Sequence, residues 1–227
     1  IYSNAMGYVG GVACALLTAR ICQLYPCAAA SAIITRFFKI YGQWAWPQPV
    51  LLKSIEDIGL GMRVWNPRIY PQDRAHRMPI ITPAYPSMCS THNVLQSNLH
   101  VMTEEFKRGQ EIMLRIEQHK ATWDDLFAPT DFFCRYRHFF QIIAHSTSAE
   151  HQRMWSGYMG SKIRLLASKL ELEDHIELAP PYYESFDVNL QIPEAELTNS
   201  VTLRAAIYRA HEKAAEEGKP AEETNQG

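Results

Sequence analysis

Arg63-Val-Trp-Asn-Pro-Arg-Ile-Tyr-Pro-Gln-Asp-Arg-Ala-His-Arg-Met-Pro-Ile-Ile-Thr-Pro-Ala-Tyr-Pro-Ser-Met-Cys-Ser-Thr-His-Asn93 is the stretch on which the fold turns. Pro67, Pro71, Pro79, Pro83 and Pro86 each fix φ, remove a backbone donor and restrict the preceding residue. No helix or central strand can run through it, so the segments on either side must be separate elements. Trp65, Tyr70, Met78, Ile80, Ile81 and Tyr85 make it too apolar for a floppy linker, and its composition is that of an ordered wall. Irregular connections of this length are uncommon in compact domains and are often functional. Arg63, Arg68, Arg74 and Arg77 stand there against Asp73. Two readings stay open for them. They tie loop carbonyls together, or, interleaved with Tyr70, His76 and Tyr85, they hold phosphates beside stacked bases.

Upstream of the wall the pattern is helical. Val12 to Tyr25 is an apolar-periodic run ended by Pro26, and Ala28 to Tyr41 repeats Ile33, Ile34, Phe37, Phe38 and Tyr41 at helical spacing, which predicts a helical hairpin. Gly10 and Gly11 open the first helix. A glycine pair there either lets the helix pack closely or leaves N–H groups and the positive dipole end free for an anion or a ligand carbonyl; the packing reading is the default. Trp44 to Pro49 breaks the second helix, Val50 to Lys53 is short and extended, and Glu56 with Asp57 reads as a solvated turn.

Downstream, Leu95, Leu99, Met102, Phe106, Gly109, Met113 and Ile116 form one apolar stripe, predicting a long helix from about Thr91 to His119. Gly109 on that stripe marks a close helix crossing, because glycine weakens a helix interior by up to about 1 kcal/mol. Trp123 to Phe127 reads as an aromatic turn plugging the bundle.

The pattern changes at Ala128-Pro129-Thr130. From Phe132 to His145 apolar and polar residues alternate, which predicts a strand with Arg135 and Arg137 on one face. Ala149 to Leu170 predicts a helix with Trp155, Met159, Ile163, Leu166 and Leu170 inward and Arg153, Lys162, Arg164 and Lys169 on its other side. A second strand is expected within Ile176 to Leu190, completing a β-α-β order. Ser200 to Glu217 is assigned as a helix and Ala221 to Gly227 as a disordered tail.

A 47% hydrophobic, 20% charged composition with net charge −2 is that of a soluble globular protein, so any nucleic-acid surface must be local. The five cysteines are odd in number and match no zinc spacing. Cys14 and Cys22 lie in an apolar run and are expected as buried free thiols, which suits a reducing compartment. Arg20 and the glycines of the Gly7 to Leu24 run argue against a membrane span. The chain starts at Ile1 in what reads as mid-domain sequence, so a fragment of a longer protein is expected. No GxSxG, HExxH, P-loop or DxD pair occurs. What remains is a glycine turn bearing Tyr2 and Asn4, a basic proline-rich wall, and a basic strand and helix, together suited to an anionic ligand such as a nucleotide or RNA.

Several segments resemble one known family. Tyr2-Ser-Asn-Ala-Met-Gly-Tyr-Val-Gly-Gly-Val12, Ala19-Arg-Ile-Cys-Gln-Leu-Tyr-Pro26, Trp46-Pro-Gln-Pro-Val-Leu-Leu-Lys53, Val64-Trp-Asn-Pro67, Asp73 to Pro86, Trp155-Ser-Gly157 and Ser161-Lys-Ile-Arg-Leu-Leu166 look like eukaryotic nuclear poly(A) polymerase. The resemblance fades after Tyr182. It implies an α+β fold: a helical central domain over residues 1–129, lacking its first helix, then an incomplete RRM-like β-α-β RNA-binding domain over 130–205 and a C-terminal helix or disordered tail over 206–227. The family's nucleotidyltransferase domain, with the catalytic aspartates that hold Mg2+, has no counterpart in this chain, so no catalytic or metal residue is assigned and the fragment alone is expected to be inactive.

The resemblance further implies ATP as substrate. Tyr2 is similar to the tyrosine that reaches the triphosphate, Asn4 and Thr82 to the groups that read the adenine edge, Gly11 and Val12 to the wall beside the base, and Met88 to the opposite flank. Arg135, Arg137, Arg153, Lys162 and Arg164 are the candidate RNA-binding surface. The implied activity is template-independent addition of adenylates to mRNA 3′ ends, in the nucleus. The implied partners are the RNA 3′ end or poly(A) and subunits of the cleavage and polyadenylation machinery, with no membrane and with the protein a monomer inside a larger complex. The alternatives are a stand-alone RNA-binding module and a helical interaction scaffold without nucleotide function.

Overall fold

A computed structural model describes residues 4–146 and 148–186. Ile1–Tyr183 forms one compact unit and Glu184–Gly227 a second, of which only residues 184–186 are described. The expected helix from Ser200, the tail and residues 187–190 of the segment expected to hold a second strand lie outside the described residues; residues 176–186 of that segment form no strand.

A 3-10 turn, Asn4–Met6, leads into α1 (Gly11–Leu24) and α2 (Ala30–Gly42), the expected helical pair. Ala13, Leu17 and Ile21 are the buried face of α1, and the fully buried Tyr41 of α2 donates its hydroxyl proton to the Leu17 carbonyl at 2.7 Å. Cys14 and Cys22 are exposed, against expectation. Each follows a buried residue by one position, and one residue turns a helix by about 100°.

The wall is ordered, as its composition requires. It contains the short α3 (Pro71–Arg74) and isolated bridges, parallel at Val50–Ile80 and antiparallel at Ile81–Cys89. Arg63 donates to the buried Asp73 at 2.6 Å and to Gln72 at 2.9 Å, and its guanidinium lies over the Tyr70 ring at 4.3 Å. Arg74 donates to the Pro67 carbonyl at 3.2 Å. These two arginines tie the loop.

The long helix α4 (Gln96–Glu117) starts later than its stripe suggested. Thr91 is instead part of the wall's stapling, accepting from the Ile80 N–H at 3.2 Å and donating to the Met78 carbonyl. At the other end His119 adopts φ 55°, and Lys120 N–H reaches back to the Arg115 carbonyl at 2.8 Å, a Schellman closure with histidine where glycine is usual. The crossing at Gly109 is as expected. A β-carbon there would meet the Phe38 ring at 2.4 Å, so α2 and α4 approach closely only because that position lacks one.

α5 (Trp123–Leu126) follows. Trp123 and Phe127 are exposed, so this turn plugs nothing. Next come α6 (Phe132–Arg135) and α7 (Ala149–Leu170), the latter with the expected bounds.

The α+β expectation is overturned. Among the described residues there is no strand, the unit is helical, and no RRM-like β-α-β arrangement is present. Phe132–Arg135 forms a helical turn instead, with Arg135 on Asp131 at 2.9 Å across an i,i+4 spacing that only a helical turn brings together. Phe132 and Phe133 both pack on Tyr182. Alternation becomes a strand only where a neighbouring strand takes up its N–H and C=O groups; no described segment pairs with residues 137–145. The expected inward stripe of α7 is also displaced. Ala167 is its buried residue, while Trp155 and Leu166 are exposed.

Candidate nucleotide and RNA-binding surfaces

Asn4 sits at the mouth of α1 because of two glycines. Gly7 takes φ +91°, and its N–H donates to the Asn4 carbonyl at 3.0 Å, closing the turn. A β-carbon at Gly7 would meet Asn98 Oδ1 at 2.5 Å and the Asn93 carbonyl at 2.9 Å. Asn98, fully buried, donates to the Met6 carbonyl at 3.1 Å and accepts from the Leu95 N–H at 3.2 Å. Arg164 of α7 donates to the Ala5 carbonyl at 3.4 Å from the other side. The second glycine, Gly10, leaves room for the Asn4 amide: a β-carbon there would lie 2.7 Å from Asn4 Nδ2.

α1 therefore begins next to an exposed carboxamide, with no side-chain cap on its first N–H groups. Nothing crowds Gly11, and Val12 is 69% exposed. Donor N–H groups, the positive end of a helix, an amide and an uncovered apolar residue thus share one spot. Within the glycine pair, Gly10 allows close packing against Asn4, while nothing packs against Gly11.

Thr82 and Met88 are brought together by a tight backbone exchange. Thr82 N–H donates to the Met88 carbonyl at 2.9 Å, and Met88 N–H donates to Thr82 Oγ1 at 3.0 Å. The Thr82 hydroxyl proton also goes to the Met88 carbonyl, at 3.3 Å. A threonine oxygen has one proton and two lone pairs. The proton and one pair are engaged, so Thr82 offers a ligand an acceptor and no donor. Met88 beside it is exposed. Ile80, two positions before Thr82, packs in the same core cluster as Ala13 and Leu17 of α1, while the adjoining Ile81 packs with Trp65 and Cys89 in a second cluster. Tyr2 lies outside the described residues.

The five basic candidates do not make one face. Arg135 is held by Asp131 at 2.9 Å and Glu105 at 3.5 Å. Burial works against its proton, but the Asp131 hydrogen bond and the two carboxylate charges outweigh it and raise its pKa. Arg137 is exposed. On α7, Arg153 and Lys162 are nine positions apart, about 180° around the helix. Arg164 lies near the Arg153 side and is engaged with Ala5. Lys162 sits 5.2 Å over the Tyr158 ring. The positioning residues Gly7, Asn98 and Arg164 act through the chain's long-range contacts, and no local pattern marks Asn98 out.

Residues 1–129 match the family model of the poly(A) polymerase central domain, and residues 131–227 that of the poly(A) polymerase predicted RNA binding domain. The chain is 54% identical over 203 residues to a poly(A) polymerase of Candida albicans, covering 88% of this chain and 36% of that protein. It is 48% identical over 220 residues to a poly(A) polymerase of Schizosaccharomyces pombe, covering 95% of this chain and 39% of that protein. A poly(A) polymerase of Dictyostelium discoideum is 52% identical over 191 residues, 84% of this chain and 23% of that protein. The chain thus spans well under half the length of each of these relatives.

Proposed function

This chain belongs to the poly(A) polymerase family, and from that premise we propose that it forms part of the ATP cleft and of the RNA-binding surface of an enzyme that adds adenylates to mRNA 3′ ends in the nucleus. The observation that carries the nucleotide half is the hydrogen-bonding state of Thr82. Its one unused lone pair suits the exocyclic amino group of adenine and opposes the carbonyl oxygen that guanine carries at that place. The exposed Asn4 amide supplies a donor and an acceptor for the rest of the base edge, with Val12 and Met88 as apolar flanks.

In this reading Tyr2 reaches the triphosphate, and the 3′-hydroxyl of RNA gives up its proton and attacks the α-phosphate, breaking the bond to the β-phosphate and releasing pyrophosphate. No group of three or more His, Cys, Asp or Glu among the described residues is disposed to hold a metal ion. The described residues do not fit a Mg2+ site. No helix among them is long and apolar enough to cross a membrane. Subunits of the cleavage and polyadenylation machinery are the partners the reading assigns.

Equilibrium titration with ATP and GTP tests the cleft. Asn4→Ala and Thr82→Ala are each expected to narrow the ATP/GTP affinity ratio by about 10-fold, the scale of one lost hydrogen bond to a base edge. An unchanged ratio in both variants removes the adenine assignment. Weak, salt-sensitive oligo(A) binding with no adenylyl transfer is expected of the chain by itself, and incorporation of labelled ATP into an RNA primer overturns that.

A further inference from the structure

α7 carries an aromatic and basic stripe that the nucleotide site does not use. His151, Trp155, Tyr158, Lys162 and Lys169 recur at steps of four, three, four and seven, so they lie along one helix face. Trp155 and Tyr158 are 45% and 54% exposed, and their rings are stacked with centroids 5.7 Å apart and planes 10° from parallel. His145 and Ser146, from the segment before the helix, join His151, Met154, Trp155 and Tyr158 around an open groove of about 550 Å³. Lys162 lies one turn beyond Tyr158, about 6 Å along the axis. Four basic residues and the single acid Glu150 make α7 strongly cationic, although the whole chain is not.

An exposed flat aromatic pair with a groove of nucleotide size beside it, followed on the same face by lysines, has the chemistry of a single-stranded nucleic-acid platform. Bases stack on the rings, and the charged backbone tracks the cations. Leu165 and Leu166 are also exposed between Lys162 and Lys169, so the face is mixed; what favours the polyanion is the charge of α7, four basic residues against one acid. We propose that the His151–Trp155–Tyr158 face of α7, with His145 and Ser146 across the groove, stacks unpaired bases of single-stranded RNA, and that Lys162 and Lys169 hold the adjoining phosphates. The proposal rests on the RNA-binding reading above. It gives that reading a location distinct from the loop arginines and from Arg135, which is engaged by carboxylates.

The test is fluorescence anisotropy with labelled oligo(A) and with an abasic oligomer of equal length, across a salt series. The chain is expected to prefer the base-bearing strand. Trp155→Ala with Tyr158→Ala should weaken oligo(A) binding by about 10-fold or more and abolish that preference, leaving abasic binding unchanged. Trp155→Phe keeps a stacking face and should retain most of the affinity, which separates stacking from misfolding. Lys162→Ala should weaken both strands and lower the salt slope by about 0.7. If wild type binds neither strand, the RNA-binding reading fails and the proposal with it. If wild type binds RNA but the double variant keeps both affinity and preference, the platform alone is overturned, and the face is left to a protein partner.

Discussion

Glu171 caps α4 from 74 positions away: its carboxylate accepts the Ser97 N–H at 2.7 Å and the Gln96 N–H at 3.2 Å. The residue before the helix is Leu95, which has no side-chain oxygen to serve its first turn. The carboxylate that closes α7 fills that place, with a negative charge at the positive end of the helix dipole. Ser97 in turn accepts from the Ala179 N–H at 2.8 Å, so the start of α4 is pinned to the segment after α7.

Replacing Glu171 by Ala is therefore expected to lower stability by about 1–2 kcal/mol, the usual worth of a helix cap with its charge. Glu171→Gln, which keeps an acceptor but loses the charge, should lose less. Urea unfolding monitored by circular dichroism measures both. Equal midpoints for wild type and Glu171→Ala would show that the cap contributes nothing.

Gly7→Ala should be among the most damaging single changes near the nucleotide half-site. The new methyl meets Asn98 Oδ1 at 2.5 Å, on a backbone at φ +91° that side chains rarely adopt. A loss of about 2–3 kcal/mol is expected from strain of this kind. The turn that seats Asn4 should shift with it, so ATP affinity should fall more in Gly7→Ala than in Gly11→Ala, where nothing lies within reach. Similar ATP affinities in the two variants would separate the Gly7 turn from the site.

At the helix crossing, Gly109→Ala drives a methyl into the Phe38 ring and should destabilise by about 1–3 kcal/mol through overpacking. Phe38→Leu removes the obstructing ring edge. The double variant should then be less destabilised than the sum of the singles, a coupling that a double-mutant cycle reads directly. Additive effects would place the strain elsewhere.

His76 makes the wall sensitive to acid. Trp65 Nε1–H donates to His76 Nδ1 at 3.1 Å, which needs that nitrogen unprotonated. Burial lowers the His76 pKa from 6.5; Asp73 opposes this, while the His92 and Arg63 charges add to it. The unfolded chain therefore takes up the proton more readily than the folded one. Stability tied to neutral His76 is present above pH 6.5 and is lost as pH falls through the lower folded value. Thermal unfolding between about pH 7 and about pH 5 should show a decline that is shallower in His76→Gln. Parallel profiles would assign the decline to other groups.

Much of the helical half was legible because its signals are local. Pro26 ends α1, the stripe from Leu95 to Ile116 is α4, and Ala149 to Leu170 is α7. Even Gly109 could be read, since a glycine on an apolar stripe has few uses other than close approach. The site was legible only as residue types. That Thr82 has a lone pair but no proton to offer follows from its exchange with Met88, which no spacing reveals.

By itself the sequence determined that α1, α2, α4 and α7 are helices, that the proline-rich stretch is ordered but irregular, and the family to which the chain belongs. Those rest on backbone restriction, periodicity and matching residues, all readable along the chain. Tertiary structure alone decided that Phe132 to His145 is not a strand, that Trp155 is exposed rather than inward, and that Glu171 serves α4. Alternation and amphipathicity specify a residue's direction relative to its own element. Whether that direction meets a partner, a core or solvent depends on what the rest of the chain brings there.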